Sequence, residues 1–386
     1  VEAPSDLWVT LINWVRGAVG NLGWTLILVT VLLKPVTTPL DFFVKLSTKK
    51  QTLVQQKCAP QVAKLKKKFG SNQEQLRVQT QSLYKREGLN MGTGCIIMLV
   101  NMIAIWAVFF TLFDSLRKVS AYEVITQYET IEQSYEGEYV RYLSEKIGDP
   151  ELDTREEADA WIANNITGKE SEPNYNDNLK LVKDATNAAG KAAINTWNNV
   201  KDNWIWVQNI WVEDSNTAPL PTYDKLLSLA KDGGYKAYVE ENINREEYSA
   251  IRNHISENSS KNKNGFYLLP IIVGLLTFLS QVIADLHNKL KNKKAQKLAN
   301  VSGDATAGTT MKMMKIIMPI IMVMFAISSS ASFGIYLLAS SIASIAIGEV
   351  ISLIVNKMTK KQQEDVEAVL EKEANRQIKK GKLQEK

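Results

Sequence analysis

Apolar residues in this chain gather into four runs of membrane-scale length. Residues 22–40 carry a single charge, Lys34; residues 94–113 and 266–284 carry none; residues 316–355 carry only Glu349. A helix needs about 20 apolar residues to cross a hydrocarbon core about 30 Å thick. The last run is twice that length and is interrupted by Ser328-Ser329-Ser330-Ala331-Ser332-Phe333-Gly334, which predicts two helices joined by a tight turn. The pattern therefore predicts an all-α polytopic membrane protein with five transmembrane helices, at 22–43, 93–113, 265–285, 314–330 and 333–355. One such run suits a buried helix of a large soluble domain; five with consistent flanking charge do not.

Between these spans the pattern turns polar. In residues 1–21, Trp8, Leu11, Ile12, Val15 and Val19 share one helical stripe, which predicts an amphipathic helix in the membrane interface. Residues 44–92 read as a basic helical hairpin. Gly70 ends its first helix, Ser71-Asn72-Gln73-Glu74 reads as a capping box that starts the second, and Gly88 ends it. Pro60 is expected to break the first helix near its middle. Val62, Leu65 and Phe69 then face Leu76, Leu83 and Tyr84. Residues 114–264 form a long segment with helical stretches expected at 118–147, 156–165, 179–200 and 223–256. Residues 286–313 are a loop, and 356–386 a helical basic tail.

Charge orients the spans. The 386 residues sum to +5, with 45% hydrophobic residues and a mean hydropathy of −0.15, averages that look soluble. By segment they diverge: net +8 over residues 41–92, +5 over 285–315, +3 over 356–386 and −10 over 114–264. Basic loops stay in the cytoplasm. The hairpin, the 286–313 loop and the tail are therefore expected inside, the acidic segment outside, the N-terminus outside and the C-terminus inside. The chain starts at Val1, which fits a processed N-terminus. Two cysteines, Cys58 and Cys95, and two histidines, His254 and His287, exclude a disulfide framework and leave little for a metal site. No nucleophile–base set stands in the spans, so no enzyme and no cofactor is expected.

The chemistry concentrates on Lys34. Residues 22–33 make only about 18 Å of helix, so the first span continues through Lys34-Pro35-Val36-Thr37-Thr38-Pro39-Leu40 and places the lysine inside the membrane. That costs at least about 2.5–3.5 kcal/mol. Either the lysine snorkels to the cytoplasmic interface or it faces a hydrated cavity. Thr30, Lys34 and Thr37 or Thr38 share a face. Asn101, Thr277, Ser280, Gln281, Ser340, Ser341 and Ser344 offer polar groups from other spans. No carboxylate is expected at the same depth. The candidate groove residues are Lys34, Thr30, Asn101, Gln281 and Ser341. On the hairpin, Lys64, Lys66, Lys67, Lys68, Arg77, Lys85 and Arg86 form a surface that suits anionic lipid head groups, ribosomal RNA or an acidic partner.

These residues resemble the YidC membrane protein insertases and their mitochondrial and chloroplast relatives. The resemblance rests on Gln51, Leu53, Pro60, Leu65, Lys68, Leu83-Tyr84-Lys85, Gly88, Asn90 and Gly94-Cys95 in and after the hairpin. It continues through Leu269-Pro270-Ile271 to Gln281, Met318-Pro319-Ile320-Ile321-Met322 with Phe325-Ala326, and Gly334-Ile335-Tyr336. It covers a little over half of the chain and omits most of the acidic segment.

The resemblance implies an energy-independent insertase of the bacterial plasma membrane. Its groove, open to cytoplasm and lipid, carries one basic residue, usually arginine, at the position of Lys34. Nascent membrane proteins are the implied clients, with the ribosome, through the hairpin and tail, the general secretion channel and anionic lipids as further partners. The departures are lysine for arginine, Leu337 for a frequent tryptophan, Ser341 for a frequent asparagine, and the long acidic insert. Trp204-Ile205-Trp206-Val207 through Trp211 resembles the aromatic stretch before the family's third span, which implies a place at the outer membrane interface; an ordinary small core built from those aromatics is the other reading. A small-solute transporter using Lys34 as an intramembrane counter-charge is the alternative function, although no internal repeat is visible.

Overall fold

A computed structural model describes residues 1–89, 91–258, 263–299 and 305–384. Among them there is no β-strand beyond one isolated bridge. The helices are α1 (Leu7–Val19), α2 (Leu22–Phe69), α3 (Gln73–Arg86), α4 (Met91–Ile147), α5 (Arg155–Asn165), α6 (Tyr175–Val200) and α7 (Tyr223–Gly233). They continue with α8 (Lys236–Asn242), α9 (Arg245–Asn258), α10 (Leu268–Ala299), α11 (Ala305–Ser328), α12 (Ala331–Met358) and α13 (Lys360–Gln384). Three of these, α2, α4 and α12, are long and apolar enough to cross a membrane; α10 and α11 hold shorter apolar runs, Leu268–Ile283 and Ile317–Ser328. The stretch expected as a loop at 286–313 is helical over most of its length, since α10 runs on to Ala299 and α11 starts at Ala305; residues 300–304 and the motif residue Asn90 lie outside the described residues.

Several helix limits differ from the sequence reading. Pro60 does not break α2, which runs unbroken through Pro35, Pro39 and Pro60. Each proline removes only the donor to the carbonyl four residues before it, so the flanking turns carry the helix through; beside the first two, the Thr37 and Thr38 hydroxyls donate to the Lys34 carbonyl. The helix cap before α3 is Asn72 and not Ser71, with Asn72 Oδ1 accepting from Gln75 N–H at 3.0 Å. Gly88 does end that helix, at φ +76°, with Leu89 N–H reaching back to the Tyr84 carbonyl. The 93–113 stretch and the expected 118–147 helix fuse into α4. Nothing between them breaks a helix, and Asp114 and Lys118 pair one turn apart at 2.7 Å.

The chain divides into two compact units. The first comprises Val1–Val29, Leu112–Ile271 and Met324–Tyr336. Its core is built on α4, where Leu116, Val124, Ile125, Tyr128, Ile131 and Leu143 are buried. On α6, Ala185, Ala189, Ala193 and Trp197 recur every four residues and are buried with Gly190. That small-residue face lets α9 approach closely: a Cβ at Gly190 would stand 2.8 Å from the His254 ring. The helix expected at 223–256 is three helices. Gly234, at φ +89°, closes α7 in the left-handed conformation that favours glycine. Asn244 Oδ1 then caps α9 by accepting from Glu246 and Glu247 N–H.

Within this unit α1 turns Val9, Ile12 and Val15 inward and leaves Leu7 and Trp14 exposed. Part of the stripe read as interfacial is thus covered by protein. Polar links hold the helix: Asp6 caps it and accepts from Ser115, and Arg16 lies between Glu123 and Asp202 at 3.4 and 3.3 Å. The loop after α6 ties distant helix starts together. The Trp204 side chain fills the space above Gly23, where a Cβ would fall 2.2 Å from its ring. Asp214, buried, accepts from the Phe266, Tyr267 and Leu269 N–H groups at the start of α10. The Ile210 and Val212 carbonyls accept from Ser332 and Ala331 N–H at the start of α12.

The second unit comprises Thr30–Thr111, Ile272–Val323 and Leu337–Lys386. Gly274 lets α10 and α11 close up, since a Cβ there would lie 2.3 Å from Val323. Helix α13 packs on α2 through Leu53, Val366 and Leu370, with a Lys64–Glu373 ion pair at 2.7 Å.

Candidate functional site

Lys34 sits within the apolar part of α2, directly before Pro35 and five residues before Pro39. Its ammonium donates to Ser344 Oγ of α12 at 2.7 Å, and no carboxylate pairs with it among the described residues. Eleven residues on, Lys45 donates to the Gly348 carbonyl at 2.6 Å and to Ser352 Oγ at 3.2 Å. Eleven residues turn a helix by about 1,100°, within about 20° of three full turns. Lys34 and Lys45 therefore share a face of α2, and Ser344, Gly348 and Ser352 share a face of α12 at four-residue steps. Residue numbers rise together along both, so the two helices run parallel along this seam.

The other residues singled out from sequence are distributed as follows. Thr30 is buried on α2. Asn101 on α4 and Gln281 on α10 each hold a buried side-chain carbonyl oxygen that accepts no hydrogen bond among the described residues. Ser341 is half-buried on α12. Among the described residues no hydrogen bond joins Lys34 to Asn101, Gln281 or Ser341; the serine it reaches is Ser344, one turn further along α12. Thr277 and Ser280 bond their own helix, to the Val273 and Thr277 carbonyls. Sequence reasoning passed over Lys45, although its eleven-residue spacing from Lys34 was there to find.

The hairpin keeps its basic surface outward. Lys64, Lys66, Lys67, Lys68, Arg77, Lys85 and Arg86 are all exposed, while Leu76 of α3 is buried. At the hairpin base, a hydrogen bond to Glu87 raises the Lys57 pKa, with burial opposing it. The hairpin is not a free arm, because α13 covers Leu53 and pairs Glu373 with Lys64.

Residues 14–144 match the family model described as 60Kd inner membrane protein. The Membrane protein insertase YidC of Marinobacter nauticus is 33% identical over 108 residues, which is 28% of this chain and 18% of that protein. The protein of that name in Bordetella pertussis is 32% identical over 106 residues, 28% of this chain and 18% of the relative. Its counterpart in Pseudomonas fluorescens is 32% identical over 105 residues, 27% and 18%. The chain thus aligns with under a fifth of the length of these relatives. No solved structure matches it.

Proposed function

We propose, from the YidC family that the matches over residues 14–144 support, that this chain is a membrane protein insertase of the bacterial plasma membrane. Hydrophilic segments of a nascent membrane protein enter a positively charged groove open to the cytoplasm and to lipid. Their hydrophobic stretches pass sideways into the bilayer. Five helices cross the membrane in this reading, with the N-terminus and the acidic segment outside and the hairpin and tail in the cytoplasm. In support, the chain passes between its two units five times, each time inside one of α2, α4, α10, α11 and α12.

The observation that carries the reading is a lysine in the apolar stretch of α2 whose hydrogen-bond partner is a neutral hydroxyl. A serine does not cancel the charge, so the field of Lys34 acts on an incoming acidic residue, and more strongly than in water. Asn101 and Gln281 add buried acceptors without donors among the described residues, an arrangement that costs about 1–3 kcal/mol each unless water or a client chain supplies the donor. A polar notch of this kind shortens the apolar path of a translocating segment and lowers its desolvation penalty. The exposed lysines and arginines of the hairpin suit anionic lipid. The ribosome and the general secretion channel complete the partners of this reading, the former at the hairpin and tail.

The test is depletion of the cell's own insertase, complementation by this chain, and photocrosslinking from position 34 to a stalled nascent membrane protein. Crosslinks to the chain's hydrophilic segment, lost with Lys34→Glu, are expected. Full complementation by both Lys34→Ala and Lys34→Glu without any crosslink overturns the charged-groove mechanism. Uptake of a small solute that depends on Lys34 would point instead to a transporter.

A further inference from the structure

The loop between α6 and α7 contains an apolar tip. Trp204 N–H donates to the Val207 carbonyl at 2.9 Å, and Val207 N–H returns the bond to Trp204 at 2.8 Å. These two bonds close a two-residue turn with Ile205 and Trp206 at its end. Ile205 has φ +48°, a region that β-branched residues almost never occupy and where glycine or asparagine is the ordinary choice. It is also 65% exposed, so packing inside the protein does not offset the strain. An isoleucine held in an unfavourable backbone conformation, facing outward, calls for something outside to cover it.

The surroundings indicate what that is. The Trp204 ring lies 5.9 Å from the Trp24 ring at the start of α2 and 5.7 Å from that of Trp206. Trp24 is 52% exposed. The Trp206 indole donates to Asp214, whose other oxygen accepts from Phe266 N–H beside the start of α10. Phe266 is 57% exposed, and Leu268 and Leu28 continue the exposed apolar surface along α10 and α2. The tip is therefore continuous with the starts of two apolar helices, one of them long enough to cross a membrane. The cover for those helices is lipid, and tryptophans concentrate where hydrocarbon meets head groups.

We propose that the Trp204–Val207 turn is a membrane wedge: Ile205 enters the acyl chains, Trp24 and Trp206 lie at head-group level, and the acidic segment is seated on the bilayer by this contact. The proposal requires α2 to span the membrane but does not depend on insertase activity.

The test uses the full-length protein, with Cys58 and Cys95 replaced by serine, in phosphatidylcholine–phosphatidylglycerol vesicles containing nitroxide-labelled lipid. A fluorophore is attached through a single new cysteine at position 203, beside the tip, at 32 in α2, or at 151 in the acidic segment. Strong quenching at 32, none at 151 and clear quenching at 203 are expected, the last falling at least twofold with Ile205→Asn and retained with Ile205→Leu. Asparagine suits the positive φ, so an unchanged or higher unfolding temperature for Ile205→Asn separates lost insertion from misfolding. Quenching at 203 no greater than at 151, or unaffected by Ile205→Asn, overturns the wedge and leaves a protein partner as the cover. Absence of quenching at 32 overturns the wedge together with the membrane-spanning reading of α2.

Discussion

Lys34 and Ser344 join α2 to α12 by a 2.7 Å hydrogen bond across 310 positions of sequence. The bond fixes where the ammonium stands without neutralising it. Lys34→Arg is expected to preserve insertion of clients with acidic segments, because charge is retained. Lys34→Ala is expected to slow it, with about a tenfold loss for each 1.4 kcal/mol of attraction removed. Ser344→Ala keeps the charge and is expected to lower stability by about 1–2 kcal/mol while leaving most activity. Insertion assays in proteoliposomes paired with thermal unfolding separate the two effects.

Asp214 acts as a remote cap. Its carboxylate serves three backbone N–H groups at the start of α10 and the Trp206 indole, 52 to 55 residues away for the backbone donors. Asp214→Ala strands the buried Leu269 N–H and the part-buried donors beside it and is expected to cost about 2 kcal/mol or more. Hydrogen exchange at residues 266, 267 and 269 should accelerate, while that of α6 stays unchanged.

The acidic segment has a pH-dependent weak point. Burial pushes the Glu132 carboxyl up to about 7; the hydrogen bond from Tyr128 opposes this, and Glu247, Glu136 and Glu129 add to it. The folded state then holds a proton that the unfolded chain releases near pH 4.5, so the native protein binds more protons between those values. Stability accordingly falls as pH rises from about 4.5 through about 7. Denaturant unfolding followed by tryptophan fluorescence should show this slope, and Glu132→Gln should flatten it and stabilise the protein at pH 8.

The docking of α13 is apolar more than ionic. Leu370 is buried with Leu53 and Val366, whereas Lys64 of the Lys64–Glu373 pair is 67% exposed at its side chain. Leu370→Ala is expected to weaken the contact by about 2–5 kcal/mol, against at most about 1 kcal/mol for Glu373→Ala. Limited proteolysis should release the tail readily from the first variant and barely from the second.

How legible was this in the residues? Ends set by local chemistry were readable: Gly88 closes α3, and α5 and α6 stop at Asn165 and Val200 as expected. Pro60 misled, because a helix absorbs one missing donor when its flanks continue to favour helix. The 223–256 stretch misled in the opposite way, since Gly234 and Asn244 interrupt an otherwise continuous helical pattern. For the groove, the residue types were visible and their pairing was not. Whether Lys34 meets Ser341 or Ser344 depends on the axial rotation of α12 against α2, which neither sequence run contains.

Residues alone were enough to locate the apolar helices, the charge asymmetry and the lysine among apolar neighbours, because hydrophobicity, helix propensity and desolvation act over a turn or two of chain. Only the folded molecule decided that Asp214 caps a helix 55 residues later, that Trp204 rests on Gly23, that Ser344 receives Lys34 and that α13 lies on the hairpin. Those contacts join segments 50 to more than 300 positions apart. Their choice is made by which surfaces pack together, a property of three-dimensional shape that no local pattern encodes.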